Sequence, residues 1–93
     1  MQRTGRRTHT ESFVLVRRTG RSGETRLGIT ASSKVGNAVA RNRIKRRVRE
    51  LFRTRRGEFP AGMDVVVIAK RGADGLTFNE IAQELLPAFV ASD

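Results

Sequence analysis

The chain contains no cysteine, tryptophan or tyrosine, and it has two prolines and a single histidine. Without cysteine there is no disulfide to staple the fold and no thiolate metal site, and a reducing compartment is the natural setting. No apolar stretch approaches the roughly 18–20 residues that a membrane-spanning helix needs. The opening segment, Met1 to Thr10, is basic but leads into neither an apolar core nor a small-residue cleavage site, so it does not read as a secretory signal. These absences give a cytoplasmic expectation. The length of 93 residues predicts one domain over 1–93, modestly stable because so short a chain buries only part of its surface.

Acid is scarce as well. Nine Asp and Glu face nineteen Lys and Arg, a net charge of +10, and sixteen of the nineteen cations are arginine. The planar guanidinium fork matches phosphate oxygens. A balance of this kind says little about fold and much about partners. Nucleic acid is the first candidate. An anionic membrane surface is a poorer one, because a surface helix needs a free apolar face and each apolar face here is needed for a core.

Along the chain, residues 1–10 are polar, broken at Gly5, and predicted extended or mobile. SFVLVRR over 12–18 reads as a strand, and the two glycines of 19–24 as a hairpin-type loop. Residues 25–32 alternate, with Leu27, Ile29 and Ala31 on one side, as a half-buried strand does. Asn37 is a good N-cap for a helix running to about Arg55, with Gly57 and Pro60 as breakers and Gly36 giving backbone freedom before the cap. MDVVVIA over 63–69 is a near-continuous apolar run, the pattern of a strand covered on both faces. Thr77 and Glu80 form a capping box for a second helix, whose apolar stripe is Phe78, Ile81, Ala82, Leu85, Leu86 and Phe89. Pro87 is predicted to kink that helix or end it early. The resulting class is α+β: two helices packed on one small sheet of about three to four strands. The stretch from Thr25 to Ala69 is a crossover unit, which the general rule makes right-handed.

The first helix carries the functional argument. At about 100° per residue, Ala40, Ile44, Val48, Leu51 and Phe52 share one face. Asn42, Arg46, Arg49 and Arg53 form the opposite stripe, flanked by Lys45 and Arg56 on one side and Arg43 on the other, with Arg41 nearer the apolar margin. Between Arg41 and Arg56 stand nine basic residues and one acid, Glu50, so this stretch holds +8 of the +10. Arginines three and four apart repel, and a solvated face normally mixes signs to avoid that. A polyanion would relieve the repulsion and release counterions on binding. The second helix exposes Asn79, Glu80, Gln83 and Glu84, so the basicity is local. No helix-turn-helix pair, zinc-ligand set or heptad zipper is present, which favours RNA over DNA by elimination.

Smaller signals are weaker. His9 has no activating partner nearby in sequence, and Asp64 and Asp74 belong to no carboxylate cluster, so no catalytic or metal-binding residue is predicted. Phe52 reads as core, whereas Phe13 stands open between core packing and stacking on a base. Ser32, Ser33 and Lys34 lie just before the first helix, where phosphate contacts at its N-terminus and a simple loop are equal readings.

The stretch RLGITASSKVGNAVARNRIKRRVRELF, Arg26 to Phe52, resembles the bacterial ribonuclease P protein family, most specifically in the RNR block at Arg41–Asn42–Arg43 between KVGNAV and IKR. The GMDVVVIAK run, the final amphipathic helix, Gly5 and FVLV at Phe13–Val16 extend the likeness over nearly the whole chain. The resemblance implies a protein subunit that binds a catalytic RNA (the ribonuclease P RNA) and the 5′ leader of precursor tRNA. There the RNA carries out phosphodiester hydrolysis with magnesium ions, and the protein assists 5′-end maturation. No membrane or DNA partner is implied. Arg41, Asn42, Arg43, Lys45, Arg46 and Arg49 are thereby expected to contact the catalytic RNA; Arg53, from its place in the basic stripe, and Lys34, from its place before the helix, are further RNA-binding candidates. The resemblance also implies a left-handed β–α–β crossover, against the general rule, in a fold shared with the second domain of a small-subunit ribosomal protein. Relatives begin with an aromatic-bearing helix that helps form the leader cleft, a helix this sequence is not expected to form. Val16 stands where relatives often carry an aromatic, and Phe13 and Val16 are the cleft candidates. A small structural rRNA-binding protein is the alternative, and a protein-only nuclease a distant third.

Overall fold

The computed structural model describes residues 6–19, 25–59 and 62–90. A four-stranded sheet has the order β1-β2-β4-β3, built from β1 (Arg6–His9), β2 (Phe13–Thr19), β3 (Arg26–Thr30) and β4 (Met63–Ala69). Helix α1 (Ala38–Thr54) lies between β3 and β4 in sequence, and α2 (Phe78–Val90) follows β4. β2 pairs with β4 antiparallel and β3 joins β4 in parallel, which requires the crossover that α1 supplies.

Register decides what faces inward. Phe13, Leu15 and Arg17 oppose Ala69, Val67 and Val65, and all six are buried on one face of the sheet. Leu27 and Ile29 extend that face from β3. α1 covers it with Ala40, Ile44, Val48 and Leu51, and α2 with Ile81, Ala82, Leu85, Ala88 and Phe89. Each fully buried Leu, Ile or Phe contributes about 1.5–3 kcal/mol. Phe59, just past α1, joins both helices: its ring meets Phe52 edge-on at 4.8 Å and Phe89 at 4.1 Å. Phe52 is thus a core residue, as its helical phase predicts.

The intervening residues form the opposite face. Val14, Val16, Val66 and Ile68 are only half-buried there, with Arg18, Arg26, Gly28 and Thr30 exposed. β4 is therefore not covered on both faces by described elements, contrary to its apolar run: α1 and α2 both pack on the other side.

Of the remaining expectations, one is sharpened and one is corrected, and Arg17 adds a feature that the strand reading did not address. The segment 1–10, read as extended or mobile, contributes a paired edge strand at Arg6–His9, with Arg7 opposite Val16 and His9 opposite Val14. Pairing with β2, not an apolar pattern of its own, makes RRTH a strand. Pro87 does not end α2, which runs on to Val90. Proline already has a helical φ, the carbonyl left without an amide partner belongs to exposed Gln83, and Leu85, Ala88 and Phe89 hold the last turns in the core. Finally, Arg17 is a charged residue inside: its Nη1 donates to the Phe89 carbonyl at 3.0 Å, serving the unpaired C-terminal end of α2. Pro60 and the 20–24 loop lie outside the described residues.

The turn between β1 and β2 is tied to α2. Thr10 N–H donates to the Phe13 carbonyl at 2.8 Å, and the Glu84 carboxylate accepts from the Thr10 hydroxyl and the Ser12 amide. Lys70 Nζ donates to the Thr10 carbonyl at 2.7 Å from the end of β4.

Candidate nucleic-acid interface

Asn37 starts α1 as its sequence position predicts: its Oδ1 accepts from the Ala40 amide at 2.9 Å. Gly36 has another reason for being glycine than backbone freedom, since its φ is not positive and a Cβ there would come within 2.9 Å of Ala40 Cβ. Close approach of the entering chain to the first turn explains it. The helix then runs unbroken for 17 residues, long enough to carry one buried and one solvent-facing stripe side by side.

The outward stripe is as the sequence places it. Asn42, Arg43, Arg46 and Arg49 are exposed, and no described carboxylate pairs with any of the three arginines. Asn42, Arg46, Arg49, Glu50 and Arg53 line a hollow of about 310 Å³. Lys45 is half-buried on the flank. Arg41 sits at the margin, with its Nε–H buried and unpaired. An orphaned buried donor is costly, and an acceptor arriving from outside would satisfy it. Lys34 is exposed in the turn before Asn37.

Not every arginine of the run is free for a partner. Arg53 is hydrogen-bonded and ion-paired to Glu50 one turn back, and that hydrogen bond, then the carboxylate charge, holds its guanidinium more firmly protonated than usual. Arg55 pairs with Glu58 at 2.8 Å, and Arg56 lies over the Phe52 ring at 5.4 Å. Arg47 is half-buried and donates to the Leu76 carbonyl, joining α1 to the segment before α2. The cationic ridge thus narrows to Arg41, Arg43, Lys45, Arg46 and Arg49, with Asn42 among them.

One residue of this surface escapes charge-based reading. Val39 is 65% exposed and lines a second hollow with Asn42, Arg43 and Arg46. Its spacing of three, four and seven residues from those side chains was the available signal.

The two cleft candidates part company. Phe13 is wholly buried in the core, because its register opposite Ala69 turns it inward, so it offers no ring to a ligand. Val16 faces the open side, where Val16, Arg18, Asp64 and Val66 line a hollow of about 280 Å³. Asp64 lies between Arg18 and Arg26 in register and 3.8 Å from Arg26 Nε, with its Oδ1 buried and accepting no hydrogen bond. Exposed Arg7 and exposed His9 border the same face from β1. Among the described residues no three His, Asp or Glu side chains come together as metal ligands.

Comparison with known proteins places this architecture. The family model described as Ribonuclease P matches residues 1–91. The ribonuclease P protein component of Citrifermentans bemidjiense is 46% identical over 81 residues, covering 87% of this chain and 69% of that protein. That of Finegoldia magna is 40% identical over 82 residues, covering 88% and 72%. The solved RNase P protein of Thermotoga maritima superposes with a TM-score of 0.87 at 33% identity, covering 96% of this chain and 84% of that one. The Staphylococcus aureus RNase P protein gives a TM-score of 0.77 at 33% identity, with 95% and 84% covered. With its sequence, its sheet and its arginine helix in agreement, the chain belongs to the ribonuclease P protein family.

Proposed function

We propose that the ridge of Arg41, Asn42, Arg43, Lys45, Arg46 and Arg49 is the surface on which the chain docks on ribonuclease P RNA, and that the open sheet face takes the 5′ leader of precursor tRNA. The observation that carries the first part is charge without internal compensation: Arg43, Arg46 and Arg49 are exposed on one helical face with no described acid paired to them. Phosphates would supply the missing anions, and the buried Nε–H of Arg41 would gain its acceptor. Asn42 can donate and accept within the same row, and Lys34 adds a cation beside the helix N-terminus. Arg53, already held by Glu50, is a weaker contact.

The second part rests on the other face of the sheet. Half-buried Val14, Val16, Val66 and Ile68 offer a smooth apolar floor, and Arg7, Arg18 and Arg26 stand around it. Bases laid on such a floor with phosphates toward arginines match how single strands are held. Phe13 has no part in it.

As a member of this family the chain assists tRNA 5′ maturation as the protein subunit of a ribonucleoprotein whose RNA performs the hydrolysis, and the family assignment sets aside the ribosomal alternative. In this reading magnesium is held mainly by the RNA, with the protein lowering phosphate repulsion as the two RNAs approach. No described helix is long and apolar enough to cross a membrane, and we place the complex in the cytoplasm. Reconstitution tests the proposal. The protein should restore cleavage of precursor tRNA by a bacterial ribonuclease P RNA at a magnesium concentration where the RNA alone is slow. Binding that RNA no better than an unrelated one of equal length would contradict it.

A further inference from the structure

Gly28 occupies the middle of β3, where glycine weakens a strand by losing much backbone freedom and packing nothing. The usual internal reasons for glycine fail at this position. Its φ is not positive; among the described glycines only Gly62 and Gly72 have that property. There is no bulge, since pairing runs unbroken from Arg26–Asp64 through Gly28–Val66 to Thr30–Ile68. Packing does not forbid a side chain either: a Cβ at Gly28 would meet only Val66 Cγ2, at 3.7 Å, an ordinary contact. The fold itself has no use for the missing side chain.

What lies outside Gly28 does. It is exposed on the open face, at the end of a row that crosses the sheet as Arg7, Val16, Val66 and Gly28. The neighbouring row is Arg18, Asp64 and Arg26, in which Asp64 lies 3.8 Å from the Arg26 guanidinium at the rim of the gap. With glycine at this point the valine floor continues level to the outer edge of β3. A side chain there would raise a wall beside Val66.

We propose that Gly28 is a specificity-determining position of the leader cleft: it keeps open the space beside Val66 that one nucleotide of single-stranded RNA fills, its base against the valines and its phosphate toward Arg18 and Arg26. This inference rests on the reading that the open face takes the leader. A paired strand, whose base faces are already stacked, cannot use such a floor, so the gap favours unpaired RNA.

The test uses the assembled ribonucleoprotein, this protein with a bacterial ribonuclease P RNA. Its affinity is measured for precursor tRNA with a leader of several nucleotides and for the same tRNA without one, and the ratio of the two is the leader's contribution. Gly28→Val adds a residue that strands favour, so the melting temperature of the free protein should hold or rise. The ratio should fall by about tenfold, the loss of one stacked base. Gly28→Ala, whose methyl fits without shifts, should give a smaller fall and keeps the test valid should valine disturb β3. Val16→Glu asks separately whether the open face takes the leader at all. A ratio lowered by Val16→Glu but untouched by both Gly28 variants overturns the role of Gly28 and leaves the cleft standing. A ratio untouched by all three overturns both.

Discussion

The two helices of this protein are built alike on the inside and differently on the outside. Both lay an apolar stripe on the same face of one sheet. On α2 the polar residues are largely used within the fold. Glu80 and Thr77 cap each other, with the Thr77 amide donating to Glu80 Oε1 at 2.8 Å, and Glu84 fastens Thr10 and Ser12 of the β1–β2 turn. On α1 the outward Arg43, Arg46 and Arg49 have no described acid paired to them, and only Arg53 of the stripe is held, by Glu50. Arg43 and Arg46, and Arg46 and Arg49, repel across one turn, each pair costing about 0.2–0.5 kcal/mol in an isolated helix. The same kind of element thus serves as a structural prop in one place and, in the function proposed above, as a docking ridge in the other, and what separates them is whether charge finds a partner inside the chain.

That contrast can be broken from either side. The largest effect on stability is expected at α2's buried stripe. Leu85 is fully buried, so Leu85→Ala should lower the unfolding free energy in urea by about 2–5 kcal/mol. A change below the error of the measurement would mean α2 does not hold the core. Next comes Glu84→Gln, which keeps the shape but removes the charge on which two donors converge, for an expected loss of about 1–3 kcal/mol. An unchanged denaturation midpoint would make that carboxylate a bystander. Asn37→Ala removes the α1 cap and should cost about 1 kcal/mol, read by the same denaturation. Smallest of all is the stability effect of Arg46→Ala with Arg49→Ala, expected within about 0.5 kcal/mol because both side chains are exposed and unpaired. A large destabilisation there would turn the ridge into a structural feature like α2.

The parts of this arrangement legible in the sequence are the local ones. Asn37, the Thr77–Glu80 box and the two helical stripes depend on residues three or four apart, so their chemistry is written contiguously. The arginine ridge was legible for the same reason. Phe13 was not: FVLV is apolar at four successive positions, so alternation gives no phase, and only pairing with β4 turns Phe13, Leu15 and Arg17 inward. β1 was missed because RRTH has no strand pattern until β2 lies beside it. Arg17 and Arg47 look like two more surface cations, yet their acceptors, the carbonyls of Phe89 and Leu76, are 72 and 29 residues away. The open sheet face was hidden in the same way, since the apolar run of β4 reads identically whether one face is covered or two. Gly28 is visible as a letter, but its lack of an internal reason needed the backbone.

The salt dependence of binding to ribonuclease P RNA tests the central claim most directly. Arg46→Ala with Arg49→Ala should weaken binding and flatten the log–log dependence of affinity on salt by about 0.7–0.9 for each phosphate no longer neutralised, with the melting temperature nearly unchanged. An unaltered slope from a properly folded double variant would show that the RNA meets the protein elsewhere.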